Sequence, residues 1–263
     1  MGKDPVLISR DGPVARVTMA RPEVHNAFNE PLIGGLLEAF VEVSRDDSVR
    51  VVILAGEGRS FSGGADLDWM QRAATWSQEQ NWWDAMRLTR MLRSVAECRH
   101  PVIARVHGNA FGGGAGLAAC ADIAIAAESA LFGFTEVRLG LVPATIAPHV
   151  IEKIGPGRAL PLFLTGERIS AARAAEIGLV YGVVPDAQLD AAVDETVAAL
   201  LQGGPEAQTA AKRLVRRVGE GDSRGIDFWT AELIAGLRVG PEAQEGVAAF
   251  LEKRKPAWHR EAG

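Results

Sequence analysis

The 263-residue sequence predicts an α/β fold, and three observations carry that expectation. Short apolar runs of strand character, such as Val49 to Ala55, Val102 to Val106 and Ile123 to Ala126, alternate with segments whose apolar residues recur at helical spacing. The runs are continuous rather than alternating, as in strands buried on both faces of a partly parallel sheet. From Ser170 onward strand signals give way to helix caps and helical spacing, so the end of the chain reads as mostly helical.

Taken in order, Val6 to Ile8 and Val14 to Met19 flank Asp11-Gly12-Pro13, a hairpin signal. A polar loop, Arg21 to Ala27, follows. Asn29 is placed to cap a helix that carries Ile33, Leu36, Leu37, Phe40 and Val41 on one face. The apolar run Val49 to Ala55 is interrupted only by Arg50 and ends in a glycine-bearing loop, Gly56 to Leu67. A longer amphipathic helix from about Glu79 to Glu97 holds Trp82, Trp83, Met86, Leu92 and Val95. Pro101 then introduces a strand that runs into Gly112-Gly113-Gly114 and the small residues Ala115 to Ala121: a strand, a turn and a helix with almost no bulk in its first turn. Leu131 to Phe134 is a further strand. Ser170 caps Ala171 to Ile177, with Gly178 as its stop. Asp186 caps a helix carrying Leu189, Val193, Leu200 and Leu201, and further helices begin near Pro205, Asp222 and Pro241.

Composition narrows the function classes. An apolar content of 48% with 23% charged residues is that of an ordinary soluble globular protein. The net charge of −5 makes a nucleic-acid surface unlikely while leaving room for a local basic patch. Cys98 and Cys120 are too few for a disulfide framework and form no metal-type cluster; they read as small apolar residues in a reducing compartment. No apolar segment of signal-peptide type opens the chain, and no run approaches the roughly 20 residues that span a bilayer, so the expectation is a cytoplasmic protein with no membrane partner.

Two loops put glycine at the end of a strand: Ser62-Gly63-Gly64-Ala65-Asp66 and Phe111-Gly112-Gly113-Gly114. One main-chain N–H from each could meet on a single oxygen, and a helix start adds unpaired donors and the positive end of its dipole. The alternative is a pair of tight turns with close helix–strand packing, in which Asp66 is simply an N-cap. Neither loop has a phosphate-cradle pattern, there is no nucleophile elbow, and the five histidines show no metal spacing. Glu136 stands out among Leu131, Phe132, Phe134, Val137 and Leu139. In apolar surroundings its pKa would rise toward the range useful for proton transfer; equally, Thr135 could cap a short helix with Glu136 in its first turn. Both readings stand.

These residues carry a resemblance. Arg21-Pro22…Asn26-Ala27, Phe61-Ser62-Gly63-Gly64-Ala65-Asp66-Leu67, Gly108 to Gly114, Cys120 to Ala126, Phe132 to Pro143, Leu164 to Glu167, Ala175 to Val180 and Glu245 to Pro256 resemble, in order, the crotonase (enoyl-CoA hydratase/isomerase) superfamily. The resemblance implies an α/β spiral of ββα units over residues 1–200, for acyl-CoA binding and catalysis. It implies a helical region over 201–263 that covers the site and makes a homotrimer or a dimer of trimers. The implied partner is an acyl-CoA; coenzyme A belongs to the substrate, so no separate cofactor and no metal are expected.

By the same resemblance the N–H groups of Ala65 and Gly113 hold the thioester oxygen, each worth about 2.7–4 kcal/mol to the enolate. Glu136 is the acid–base group. Ser62, Ala65, Asp66 and Leu67 border the adenine end of the coenzyme, Val24 to Ala27 the pantetheine, and Lys253 the phosphates, unless Lys253 belongs to a solvated charged face. The family's hydratases generally use two glutamates; the earlier position is Gly116 here. Three readings follow: hydration by Glu136 alone, 3,2-enoyl-CoA isomerisation, or other chemistry on the enolate, such as decarboxylation or lyase cleavage. The loop Leu141 to His149 also lacks the usual Pro-Gly-x-Gly-Gly-Thr. With Gly116, it resembles methylglutaconyl-CoA and isohexenylglutaconyl-CoA hydratase-like members, which take branched enoyl-CoAs with a distal carboxylate. Arg72, Arg138 and His149 are candidate partners for that carboxylate. The expectation is an enoyl-CoA hydratase, with an isomerase or a non-catalytic acyl-CoA- or RNA-binding member as the alternatives.

Overall fold

A computed structural model describes residues 4–219 and 225–259. Its strands are β1 (Val6–Asp11), β2 (Val14–Met19), β3 (Val51–Gly56), β4 (Val102–Val106), β5 (Asn109–Phe111), β6 (Ile123–Ala127), β7 (Leu131–Gly133), β8 (Arg168–Ser170) and β9 (Gly182–Val184). The helices of the first half are α1 (Glu30–Arg45), α2 (Leu67–Ala73), α3 (Gln78–Ala96) and α4 (Gly113–Cys120). They are followed by α5 (Ala147–Ile154), α6 (Pro156–Thr165), α7 (Ala171–Glu176), α8 (Leu189–Leu201), α9 (Pro205–Gly219), α10 (Ile226–Val239) and α11 (Pro241–Leu251). Asp222 lies outside the described residues.

The large sheet has the order β1-β2-β3-β4-β6-β9; β1 is antiparallel to β2 and every other pair is parallel. A second, three-stranded sheet has the order β5-β7-β8. A chain leaving β4 makes a short second strand, β5, and then the helix α4; this strand–strand–helix unit is the mixed α/β architecture the sequence predicts. The unbroken apolar character of the strands has a direct cause. On one face of the large sheet Val52, Leu54, Val102 and Ala104 join α1, α3 and α4 in one core. On the other, Val51, Ile53, Ile103 and Ile125 pack with Leu189, Val193 and Val197 of α8. Phe40, Leu36, Leu92 and Met91 are fully buried, each contributing about 1.5–3 kcal/mol.

Several expectations are corrected. Asn29 caps α1 as predicted, accepting from Leu32 N at 3.0 Å, but the buried stripe continues through Val43, and Val41 is turned outward. Trp82 and Trp83 are exposed and pack edge-on against each other, because only the C-terminal part of α3, with Met91, Leu92 and Val95, reaches the core. Asp186 does not cap α8. Its carboxylate accepts from the Ser129 N–H and hydroxyl, so it ties two loops together, and a single 3-10 turn leads into the helix.

The helical end of the chain is anchored by polar contacts. Lys212 Nζ of α9 donates to Asp122 Oδ2 at 2.6 Å and to the carbonyl of His100 at 2.9 Å, and Val102 N donates to the same Oδ2 at 2.7 Å. Arg216 donates to the Ala96 carbonyl at the end of α3. Asp122→Ala leaves the Val102 N–H without its acceptor and the Lys212 ammonium with only the His100 carbonyl. It is expected to cost about 1–3 kcal/mol and to lower Tm by roughly 3–9 °C, with Lys212→Met costing less. Thermal denaturation of the two variants checks this; a Tm within about 1 °C of wild type for Asp122→Ala would contradict the anchoring role.

Candidate active site

The site begins with the turn after β2. Pro22 to Val24 form one 3-10 turn, and His25 and Asn26 then adopt left-handed backbone angles, with φ of 55° and 53°. Asn, and to a lesser degree His, tolerates that region better than most residues. Asn26 is fully buried and works as a brace: Oδ1 accepts from Arg21 N at 2.9 Å, and Nδ2 donates to the carbonyls of Glu57 and Ser60, both at 2.9 Å. Its own carbonyl accepts from the Ser62 hydroxyl at 2.9 Å. One buried amide therefore holds the start of this turn to the loop after β3. A role for Asn26 has no signal in spacing or composition; only its hydrogen bonds reveal it.

Three segments then run side by side. Ser62 N donates to Asn109 O, and Phe111 N to Ser62 O, pairing the first glycine loop with β5. Phe28 N donates to Gly64 O at 2.7 Å, and Asp66 N to Phe28 O at 2.9 Å. This parallel pairing of Phe28 with Ala65 uses the groups on either side of Ala65, and leaves the Ala65 N–H turned away from Phe28.

The two glycine bends touch. A Cβ on Gly64, where φ is +97°, would lie 3.1 Å from Phe111 O and 3.9 Å from Gly112 N; one on Gly112, where φ is +48°, would lie 4.0 Å from Gly64 Cα. Only glycine combines those backbone angles with so close an approach. Next in the chain stand Ala65 and Gly113. Among the described residues neither N–H has a hydrogen-bond acceptor, and Gly113 opens α4, where the donors of a first helical turn are left over.

Glu136 meets the same place from a third direction. It starts a short 3-10 turn, Glu136–Leu139, without any cap bond from the Thr135 hydroxyl, so the capped-helix reading of this residue fails while its first-turn position stands. Its Oε1 would be 3.1 Å from a Cβ on Gly112, and its Oε2 is buried with no hydrogen-bond partner among the described residues. Burial pushes the Glu136 carboxyl above the ordinary glutamate range, opposed only by a hydrogen bond from its own backbone N–H. A half-buried acid with a free oxygen, beside a pair of unsatisfied amide donors, can move protons next to a stabilised oxyanion.

The remaining predicted residues divide. Ser62 is buried, and its hydroxyl is spent on the Asn26 carbonyl. The Asp66 carboxylate is fully engaged: Oδ2 with Arg21 at 2.9 Å, and Oδ1 with the N–H groups of Asp68 and Trp69, which caps α2. Its side chain is structural, as the N-cap reading has it. Ala27 is buried and accepts at its carbonyl from Arg21, whereas Val24 and Leu67 are exposed on the two loops. Lys253 follows α11 with a φ of 55°, and its ammonium has no partner among the described residues. Arg72 is committed to Glu30 at 2.7 Å, and the Arg138 side chain lies over Gly166. Burial lowers the His149 pKa, and the nearby charges are Glu152, Arg216, Arg93 and Glu97. Among the described residues no hydrogen bond or ion pair joins any of these three side chains to the bends.

Two other features bear on chemistry. A cavity of about 450 Å³, lined by Arg16, Thr18, Gly56, Arg105, His107 and Asp190 among others, contains none of the predicted site residues. The Arg105 guanidinium there is taken by Asp190, at 2.6 and 2.9 Å. Among the described residues no three His, Cys, Asp or Glu side chains are grouped to hold a metal ion, and no helix is long and apolar enough to cross a membrane.

The sequence matches the enoyl-CoA hydratase/isomerase family over residues 9–261. It is 33% identical over 260 residues to the crotonyl-CoA hydratase of Syntrophomonas wolfei, with 97% of this chain and 98% of that protein covered. It is 30% identical over 256 residues to the trans-2-decenoyl-[acyl-carrier-protein] isomerase of Streptococcus mutans, covering 95% and 96%. The crystal structure of an enoyl-CoA hydratase from Shewanella pealeana superposes with a TM-score of 0.93 at 38% identity, over 97% of this chain and 96% of that one.

The buried carboxyl has a consequence for stability. With its folded-state pKa raised, ionising Glu136 works against the fold: the cost is absent below the ordinary glutamate pKa and grows as pH rises through the raised value. Glu136→Gln is therefore expected to raise Tm at pH 8 and to leave it unchanged near pH 4. Thermal melts of both proteins across that range check it; an equal or lower Tm for the variant at pH 8 would mean that the carboxylate is well solvated.

Proposed function

The chain belongs to the enoyl-CoA hydratase/isomerase family, and on that premise we propose that it is an enoyl-CoA hydratase whose one acid–base group is Glu136. The observation that carries this reading is the junction of Gly64, Gly112 and Glu136. Two bare bends and a buried carboxyl meet at one place, each bend followed by an unsatisfied N–H. In the proposed reaction the thioester carbonyl oxygen of a 2-enoyl-CoA accepts hydrogen bonds from the N–H groups of Ala65 and Gly113. The Glu136 carboxylate takes a proton from water as the water oxygen bonds to C3, and the electron pair of the C2–C3 double bond passes into the thioester enolate. The now neutral carboxyl returns that proton to C2, so one water is added and the carboxylate is restored. A carboxyl held above its ordinary pKa by burial is suited to both halves of the cycle. No cofactor is needed beyond the coenzyme A that the substrate carries.

The finer assignments rest on the family resemblance. The substrate would be a branched enoyl-CoA with a distal carboxylate, such as 3-methylglutaconyl-CoA, on account of Gly116 and the loop Leu141 to His149. Val24 and Ala27 would border the pantetheine, backbone groups of Ser62 to Leu67 the adenine, and Lys253 the phosphates. Residues 1–200 would form the catalytic unit and 201–263 the assembly region of a cytoplasmic homotrimer or dimer of trimers. The outward side chains of Phe228, Val239 and Phe250, each about four-fifths exposed, suit burial in such an assembly.

A second reading has its own support. A single carboxyl can also shuttle a proton along a 3-enoyl chain, and one relative carries an isomerase name. Incubation with crotonyl-CoA, a 3-enoyl-CoA and 3-methylglutaconyl-CoA, followed by enoyl absorbance and product identity, separates the two. Hydration of at least one 2-enoyl-CoA is expected; clean isomerisation with no hydration would select the isomerase, and binding without turnover a non-catalytic member. Glu136→Gln is expected to lower kcat by roughly 10²–10⁴ while the fold is retained. A kcat within a few-fold of wild type would remove Glu136 from the reaction.

A further inference from the structure

The cavity of about 450 Å³ opens at the carboxyl ends of three neighbouring strands, β2, β3 and β4, which is where open α/β sheets bind ligands. Successive side chains along a strand point to opposite faces of the sheet. Val17, Leu54, Ala104 and Val106 face the core shared with α1, α3 and α4. Arg16, Thr18, Ala55 and Arg105 therefore face the other side, which α8 covers only from Leu189 onward. Between Thr18 and Arg105, β3 supplies only Ala55 and Gly56, and Gly58 follows, so no bulky side chain fills the floor.

Arg16, Arg105 and Asp190 are the charged side chains of this lining. Asp190, in the first turn of α8, takes the Arg105 guanidinium through both oxygens, at 2.6 and 2.9 Å. The remaining Arg105 Nη1 donates to His107 Nδ1 at 3.2 Å, since a guanidinium can only donate. His107 then carries its proton on Nε2, which donates to the Gly58 carbonyl at 3.0 Å, and the ring is neutral. Burial, which lowers the His107 pKa, agrees with that state.

Arg16 differs from Arg105. It is half-buried, and its guanidinium makes no hydrogen bond or ion pair among the described residues. The carboxylate nearest in charge, Asp190, is already taken by Arg105. Two residues along the same strand face, the Thr18 hydroxyl is also without a partner among the described residues. One positive charge of the lining is thus left uncompensated, beside a free hydroxyl, in a concave place.

We propose that this cavity is a second ligand site, for a small organic anion whose carboxylate or phosphate is held by Arg16 and Thr18. A guanidinium fork matches two oxygens of either head group. The volume is that of a small-molecule pocket, so a carbon body fits over Ala55 and Gly56 behind the head group. Arg105, fixed by Asp190 and His107, is the wall of the site rather than its ligand. The inference goes beyond the thioester reading and does not depend on Glu136.

Inorganic phosphate and succinate, each titrated by calorimetry at an ionic strength held constant with sodium chloride, test it. Saturable binding of at least one is expected, weakened about 10–100-fold by Arg16→Gln and about two- to fivefold by Thr18→Val. Because neither side chain holds another group in the structure, both variants are expected to melt within about 2 °C of wild type. Tighter succinate marks a carboxylate ligand and tighter phosphate a phosphate ester; either result supports the site. Saturation by neither anion, or an affinity that Arg16→Gln leaves unchanged, would overturn it. So would competition by acetyl-CoA, which would put the anion in the thioester site. Should Arg16→Gln not fold, Thr18→Val decides, and an affinity equal to wild type would overturn the proposal. A wild-type protein that turns over no thioester yet binds an anion through Arg16 would remove the reading of Glu136 and leave this one standing.

Discussion

The contact between Gly64 and Gly112 is the constraint on which the rest of the site depends. Two peptide bends can approach this closely only if neither carries a side chain, and at +97° and +48° neither backbone suits a residue with one. Most of the surrounding structure serves to bring the bends together. Parallel strands deliver both loops at the same end of the sheet, the Ser62–Ala110 pairing aligns them, and α4 begins at once, so that its first donors stay unused. The absence of bulk, which looks like a loss of packing, is what exposes main-chain N–H groups to a ligand oxygen.

Around that contact the chain spends its buried polar groups on rigidity. Asn26 braces two loops with four hydrogen bonds, and the Asp66 carboxylate joins Arg21 to the start of α2. The Asn26 amide and both Asp66 carboxylate oxygens have partners. Glu136, by contrast, keeps an oxygen buried and without a partner among the described residues, and this local cost to stability is the usual mark of a group kept for reaction rather than for folding.

Much of this was legible in the sequence, for identifiable reasons. The strands of the large sheet show because both their faces are buried, which leaves unbroken apolar runs such as Val51 to Ala55. The caps of Asn29 and Ser170 show because one polar side chain satisfies one helix end. The three-residue strands β5, β8 and β9 are too short to show any period, and α2 is seen only once Asp66 is known to cap it. Trp82 and Trp83 misled because helical spacing predicts a face but not how far the core extends along the helix. At the site, glycine pattern and apolar context pointed to both bends and to Glu136. The brace at Asn26 depends on contacts between distant segments, which no local pattern encodes.

The most direct measurement is a crystal structure with a saturated acyl-CoA, which can bind but has no double bond to hydrate. The thioester oxygen is predicted to lie about 2.7–3.1 Å from both Ala65 N and Gly113 N, with the Glu136 carboxyl facing C2 and C3 of the acyl chain. A thioester oxygen bound by neither amide, or an acyl chain turned away from Glu136, would contradict the account.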